Sequence, residues 1–137
     1  MPSNLIIIDA SIAVKWFHEE VDSKQAEALQ ERIVKGEVRA MVPPLFFYEV
    51  ANALMFKARS EAEQVSLAHQ VLRSMPLQVV EVIYTIFPDA IHIARKYKLS
   101  VYDSVYVALA VSTGVPLITA DQKLFRVIGA PIAALLS

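Results

Sequence analysis

Four acidic residues stand where an enzyme could use them, directly after apolar segments or within one. Asp9 follows the aliphatic run LIII, and Asp121 comes shortly after PLIT. Asp103 opens an otherwise apolar helical segment, and Glu49 lies inside the apolar segment LFFYEVANALMF. A cluster of carboxylates suits a hard divalent cation, because a ligand set made only of oxygen atoms favours Mg²⁺ or Mn²⁺ over zinc. The chemistry open to such a cluster is metal-assisted hydrolysis of a phosphodiester bond.

Three of these acids also have an ordinary structural explanation, which is to cap a helix. Asp and Ser are preferred N-cap residues, and a helix is expected to begin just after Asp9, just after Asp121 and at Asp103. Ser11 could cap the first helix in place of Asp9, which would leave the Asp9 carboxylate free for a site. Capping and a shared site therefore both stay open for each of these residues.

Glu49 is the charged exception in a predicted helix, residues 45–59, that is apolar almost all the way round. An unpaired buried carboxylate costs several kcal/mol, roughly, so Glu49 needs a partner. A lone Arg or backbone donors could supply one. Asn52 lies three residues further on, on the same helical face, and is a candidate supporting residue. We expect Glu49 to face the same pocket as Asp9.

The apolar pattern predicts an alternation of strands and helices around these acids. Residues 5–8 show no polar alternation, which is typical of a central strand in a parallel sheet. Further strands are predicted at residues 38–42, 77–82, 116–119 and 132–135, and helices at residues 12–17, 23–35, 45–59, 61–75, 84–98, 103–113 and 122–125. With right-handed crossovers, this order predicts an α/β fold, a three-layer α/β/α sandwich with a mainly parallel sheet of four to five strands. One domain is expected over residues 1–137.

This architecture would bring the four acids to one edge of the sheet. Ligand sites of open α/β sheets lie at the carboxyl ends of the strands. Clustered carboxylates repel one another and have raised pKa values unless a cation neutralises them. Two ions about 3.5–4 Å apart could clamp the attacking and leaving oxygens of a phosphodiester. The predicted metal-binding and catalytic residues are Asp9, Glu49, Asp103 and Asp121.

Composition excludes several other kinds of site. Cysteine is absent, which removes disulfides, thiolate zinc sites and a Cys nucleophile. A formal net charge of -1 provides no general attraction for nucleic acid, so any such contact must be local. Candidate phosphate contacts are Lys15, Lys57, Arg59 and Lys123.

Hydropathy indicates an oligomer outside the membrane. The hydrophobic content of 55% and the mean hydropathy of +0.44 are high for a monomer, so we expect apolar surface to be covered by a partner. The longest apolar run, residues 105–111, is too short to span a bilayer. No basic segment precedes the first apolar run, so we do not expect a signal peptide. We therefore expect the protein to be located in the cytoplasm.

Four stretches together resemble a known family over essentially the whole chain. In order they are IIIDAS with VKWF after it, PPLFFYEVANAL, LSVYDSVYVALA and LITADQKLF. They are similar to the PIN domain, and more closely to the VapC-type toxin ribonucleases of toxin-antitoxin pairs. The resemblance implies that Asp9, Glu49 and Asp103 hold metal, with Asp121 supporting a second ion or the water. It also implies supporting roles for the small hydroxyl residues Ser11 and Thr119.

The same resemblance implies an activity and partners. These are cleavage of RNA with Mg²⁺ or Mn²⁺, a homodimer, and inhibition by a VapB-type antitoxin that covers the site, often with a basic side chain near the acids. If the antitoxin binds the apolar third and fourth helices, polar substitutions at Phe46 or Phe56 should weaken the complex, and unaltered co-purification would contradict this.

Two alternatives remain open. A haloacid-dehalogenase-type phosphatase also begins with an apolar strand that ends in Asp, but it needs a second Asp two residues later, where this chain has Ser11. Hydrolysis of a small phosphate ester without RNA cleavage would favour it. The other alternative is a non-catalytic PIN-like interaction scaffold, which would bind metal without turnover.

Overall fold

The aliphatic run that precedes Asp9 forms the central strand of a parallel sheet. The structure is a computed structural model that describes residues 4–137. Its strands are β1 (Leu5–Ile8), β2 (Arg39–Val42), β3 (Leu77–Val79), β4 (Leu117–Thr119) and β5 (Ala133–Leu135). Its helices are α1 (Ala10–Phe17), α2 (Ser23–Val34), α3 (Leu45–Phe56), α4 (Ala62–Ser74), α5 (Phe87–Tyr97), α6 (Val101–Thr113) and α7 (Gln122–Ile128).

The sheet order is β3-β2-β1-β4-β5, and every described pairing is parallel. Ile7 and Ile8 are both fully buried. Because successive strand residues point to opposite faces, both faces of β1 are covered, as the absence of alternation predicts.

The handedness of the crossovers explains the two helical layers. From β1 the chain moves outward to β2 and β3, then returns past β1 to β4 and β5. Right-handed connections therefore place α1–α4 on one face and α5–α7 on the other. Accordingly, α1 packs against α2 and α3, α3 packs against α4, and α5 packs against α6. The predicted α/β/α sandwich is confirmed, with five strands. The single domain over residues 1–137 stays a prediction, since residues 1–3 lie outside the described part.

Some element boundaries differ from the sequence-based prediction. β3 ends at Val79 instead of residue 82, and α5 begins at Phe87 instead of residue 84. The intervening residues turn because the Glu81 carboxylate accepts a hydrogen bond of 2.7 Å from the Tyr84 backbone N–H. Apolar content alone could not distinguish this turn from a continuing strand. Within residues 4–137, no helix has the length and hydrophobicity needed to cross a membrane.

The two phenylalanines expected to contact an antitoxin occupy different environments. Phe46 is fully buried in the core, where its ring meets that of Phe47 edge to face at 5.4 Å. Phe56, the last residue of α3, is 74% exposed. The expectation for Phe46 is therefore wrong, because its helical face points into the core. Phe56 remains available to a partner.

Candidate metal and catalytic centre

The candidate centre lies where the strand order reverses. The chain leaves β1 for β2 on one side, and β4 pairs with the other side of β1. Such a switch point opens a crevice at the carboxyl ends of the two strands, where ligands bind in open α/β sheets. Asp9 follows β1 directly, and Thr119 ends β4. The register, with Ile8 opposite Ile118, makes Asp9 and Thr119 neighbours across the strands.

The Asp9 carboxylate is buried and held by hydroxyl groups. Its Oδ1 accepts hydrogen bonds from the Ser11 backbone N–H, at 3.1 Å, and from Ser11 Oγ. Its Oδ2 accepts a hydrogen bond from Thr119 Oγ1. Asp9 is thus the N-cap of α1, and the expectation that Ser11 caps this helix instead is wrong: Ser11 lies within α1. The Asp9 carboxylate therefore caps α1 and is also the buried carboxylate of the candidate centre.

The same two hydroxyl groups connect Asp9 to the turn after β4. Ser11 Oγ accepts the Ala120 backbone N–H at 2.9 Å, and Thr119 Oγ1 accepts the Asp121 backbone N–H at 3.0 Å. Each hydroxyl donates its proton to the Asp9 carboxylate and accepts a backbone N–H of this turn through a lone pair. This network aligns Asp121 with Asp9. It gives Ser11 and Thr119 a physical role in the site.

Asp103 and Asp121 relate differently to their helices. Ser100 caps α6 through its Oγ, which accepts the Asp103 backbone N–H at 3.0 Å. Asp103 is therefore the third residue of α6, and its interpretation as the N-cap is wrong. Asp121 does cap α7, since its Oδ1 accepts the Leu124 backbone N–H at 3.1 Å. Capping uses one oxygen of Asp121 and leaves Oδ2 available.

Glu49 is half-buried, and its partner is a tyrosine. The Tyr106 hydroxyl donates a hydrogen bond of 2.7 Å to Glu49 Oε1. Tyr106 is 1% exposed and was missed by the sequence analysis, which proposed Arg or backbone partners. A signal was available, because Tyr106 lies three residues after Asp103 and shares its helical face. Asn52, in contrast, is exposed and lines a separate cavity.

Burial and the negative charges of neighbouring acids raise the pKa values of three of the four acids. Burial, together with the negative charges of Asp103 and Asp121, raises the pKa of Asp9 to about 6, although its bonds to the hydroxyl groups oppose the shift. Burial and the charge of Asp103 raise the pKa of Glu49, and burial and the charge of Asp121 raise the pKa of Asp103. Among the described residues, none of the four forms a salt bridge. Their charges therefore remain without a protein cation.

Residues 6–130 match the family model of the PIN domain. The chain belongs to the PIN domain family. The likeness to this family recognised in the sequence is confirmed. Ribonuclease VapC3 of Pyrobaculum aerophilum is 32% identical to this PIN domain over 123 residues, which cover 87% of the chain and 91% of the relative.

Solved structures share the fold of this PIN domain at low identity. A toxin-antitoxin complex from Klebsiella pneumoniae matches with a TM-score of 0.70 and 19% identity, covering 94% of this chain and 95% of that one. VapC20 of Mycobacterium tuberculosis, a Sarcin-Ricin loop cleaving toxin, matches with a TM-score of 0.74 and 14% identity, covering 91% and 96%.

The donor set of this PIN domain fits a hard divalent cation. All four candidate ligands are carboxylates, and their mutual repulsion would be relieved by a positive ion. In the arrangement of residues 4–137, no three acidic or histidine side chains are grouped closely enough to hold one ion between them. Mg²⁺ is commonly held by one or two carboxylates together with water and substrate phosphate, so it does not require three protein ligands. The four acids therefore fit a divalent cation in their donor atoms and charge, but they do not form a complete set of ligands around one position.

The bond between Tyr106 and Glu49 can be tested with Tyr106→Phe. We expect kcat for RNA cleavage to fall about tenfold, because one charge-assisted hydrogen bond that orients Glu49 is lost. The bond to Tyr106 lowers the pKa of Glu49, so its loss raises that pKa and moves the acidic limb of the pH-rate profile to higher pH. Tyr97→Phe, at a partly exposed tyrosine of α5, is the control. An unchanged pH profile in Tyr106→Phe would contradict this role.

Proposed function

We propose that this PIN domain is a metal-dependent endoribonuclease that hydrolyses RNA phosphodiester bonds, and that it is the toxin of a VapBC-type toxin-antitoxin pair. The observation that carries the proposal is that the charges of Asp103 and Asp121 raise the pKa of Asp9 and the charge of Asp103 raises that of Glu49, while none of the four acids has a salt-bridge partner among the described residues. The relative named Ribonuclease VapC3 supports RNA as the substrate. Cellular RNA as substrate makes the cytoplasm the proposed location.

The four acids would have distinct roles. Asp9, Glu49 and Asp103 would supply carboxylates to Mg²⁺ or Mn²⁺, one or two of them to a given ion, and Asp121 would support a second ion or the attacking water. When bound, the ion would polarise the phosphodiester and activate water for attack on phosphorus. The protein contributes orientation: the hydroxyl network holds both oxygens of Asp9, and the buried tyrosine holds one oxygen of Glu49.

We place the antitoxin on the outer face of α3 and α4. Phe56, Leu67 and Val71 are large apolar residues exposed on these helices. Exposed apolar patches of this kind mark protein interaction sites. A basic side chain from the antitoxin could then reach the uncompensated acids. Phe56→Ser is the appropriate variant to test this, because Phe46 belongs to the core; full co-purification of the antitoxin with Phe56→Ser would contradict the placement.

A second apolar surface is a candidate for the homodimer. A groove with a volume of about 560 Å³ lies between the start of α3 and the helices α5 and α6, lined among others by Tyr48, Ile83, Phe87 and Tyr102. Three of these side chains, Tyr48, Ile83 and Tyr102, are more than half exposed. A second copy would cover them and would explain the high hydropathy. A purely monomeric protein in sedimentation equilibrium would contradict the dimer.

The ribonuclease proposal is tested with the chain purified free of any partner. Labelled tRNA and mixed RNA are incubated with Mg²⁺ or Mn²⁺, with and without chelator. We expect cleavage that stops when chelator is added and returns with excess ion. Metal binding without cleavage would favour the interaction scaffold. Hydrolysis of a small phosphate ester without RNA cleavage would favour the haloacid-dehalogenase-type phosphatase.

A further inference from the structure

Three charged residues form a group at the mouth of the acidic centre. Lys15 lies in α1, Glu20 in the turn between α1 and α2, and Lys57 caps the end of α3. Both ammonium groups approach the same oxygen: Lys15 Nζ lies 3.8 Å and Lys57 Nζ 3.5 Å from Glu20 Oε2. One carboxylate thus neutralises part of the charge of two lysines, and the group carries a net positive charge.

The turn that carries Glu20 is ordered by its own hydrogen bonds. The Glu20 backbone N–H donates to Ser23 Oγ at 2.7 Å, and the Ser23 backbone N–H donates to the Glu20 carbonyl at 3.2 Å. Ser23 is buried. The side chain of Lys15 is only 10% exposed, whereas that of Lys57 is 69% exposed. The group therefore combines a lysine that is nearly buried with a lysine that is mostly exposed.

The same cavity contains this group and part of the acidic centre. Its volume is about 360 Å³, and Lys15, Glu20 and Lys57 line it together with Glu49 and Asp121. Of the four cations considered as phosphate contacts, these two lysines are the ones that line it; Arg59 and Lys123 do not. The cavity therefore brings two lysines together with two of the candidate metal ligands.

We propose that Lys15 and Lys57 form a subsite for a backbone phosphate of the RNA strand next to the scissile one, and that Glu20 occupies this subsite until the strand displaces it. The subsite rests on the proposed function, because its ligand is the substrate of the acidic centre. With a chain net charge of -1, the attraction for RNA must come from a local site of this kind.

The exchange of Glu20 for a phosphate is energetically feasible. The Lys57 ammonium is well exposed, and ion pairs with solvent access contribute little, so breaking the pair between Lys57 and Glu20 costs little. A phosphate brings the same charge and can accept hydrogen bonds from both ammonium groups. Glu20 then acts as an internal competitor that lowers RNA affinity and keeps Lys15 and Lys57 directed into the cavity.

Binding in a nuclease-dead background tests the subsite separately from catalysis. All variants carry Asp9→Asn, and a labelled single-stranded oligoribonucleotide is titrated by fluorescence anisotropy at several salt concentrations. We expect Glu20→Gln to lower Kd about threefold or more, because its competing charge is gone. We expect Lys57→Met and Lys15→Met each to raise Kd, and the double variant to reduce the salt dependence by about 0.7 in log-log slope, the value for one phosphate contact on a single strand.

The matched controls come from the exposed ion pair of α2, in which Lys35 Nζ lies 2.8 Å from Glu31 Oε1. Glu31→Gln and Lys35→Met should leave Kd and slope at the parent values. If Lys15→Met fails to fold, Glu20→Gln and Lys57→Met still test the phosphate subsite. Unchanged Kd in both would overturn the subsite even if the parent chain cleaves RNA. The expected shifts without any cleavage by the wild-type chain would uphold the subsite and remove the ribonuclease.

Discussion

Asp9→Asn is expected to reduce RNA cleavage about a thousandfold or more, because it removes the charge from the carboxylate at the centre of the site. Asn preserves the size of the side chain and one carbonyl oxygen. The hydroxyl groups of Ser11 and Thr119 can rotate to satisfy the new amide, so the fold should persist. A lower rate of RNA cleavage would therefore reflect the missing carboxylate and not unfolding of the protein.

The measurement is the initial rate of RNA cleavage at saturating Mg²⁺ or Mn²⁺, with Mn²⁺ affinity determined by calorimetry. The matched control is Asp89→Asn, at an exposed acid in the first turn of α5, which should retain the wild-type rate. We expect Mn²⁺ binding to weaken in Asp9→Asn and to be unchanged in the control. Cleavage by Asp9→Asn within threefold of wild type would remove Asp9 from the catalytic group.

Without metal, the wild-type chain is expected to lose stability as pH rises from about 4 to about 6, relative to Asp9→Asn. Folding raises the pKa of Asp9 from 3.8 to about 6, so the folded state holds its proton more tightly than the unfolded chain. The contribution of Asp9 to the free energy of unfolding is therefore fully present below pH 3.8 and is lost as pH rises through the folded-state pKa of about 6. The difference between the two pKa values corresponds to about 3 kcal/mol.

Urea unfolding in the presence of chelator measures this effect. At pH 7.5 we expect Asp9→Asn to be more stable than wild type, and the difference to shrink below pH 4.5. Divalent ion at about 1,000 times its Kd should reverse the order, because it stabilises the folded wild type by about 4.1 kcal/mol, more than the cost of burying the Asp9 charge. A variant less stable than wild type at pH 7.5 in chelator would show that the hydroxyl bonds to Asp9 outweigh its burial.

The architecture was largely predictable because its signals are local. A continuous aliphatic run such as residues 5–8 requires burial on both faces, and the helix pairs between strands require parallel crossovers. Together these place the residues that follow β1 and β4 at one edge, and Asp9 and Asp121 lie there. Charge and residue type selected the four acids as candidates, and their role as metal ligands stays a prediction. The boundary errors, such as the end of β3, arose where a side chain turns the chain.

The partners of the acids were decided by tertiary packing alone. The Tyr106 hydroxyl and Glu49 are 57 residues apart, and the hydrogen bond between them depends on how α6 meets α3. Which residue caps a helix likewise depends on ångström-scale placement: Asp9 caps α1, whereas Ser100 caps α6 and frees Asp103. Residue type and spacing determine which groups can meet at the sheet edge. Only packing determines which oxygen each donor reaches, because a hydrogen bond tolerates deviations of only a few tenths of an ångström.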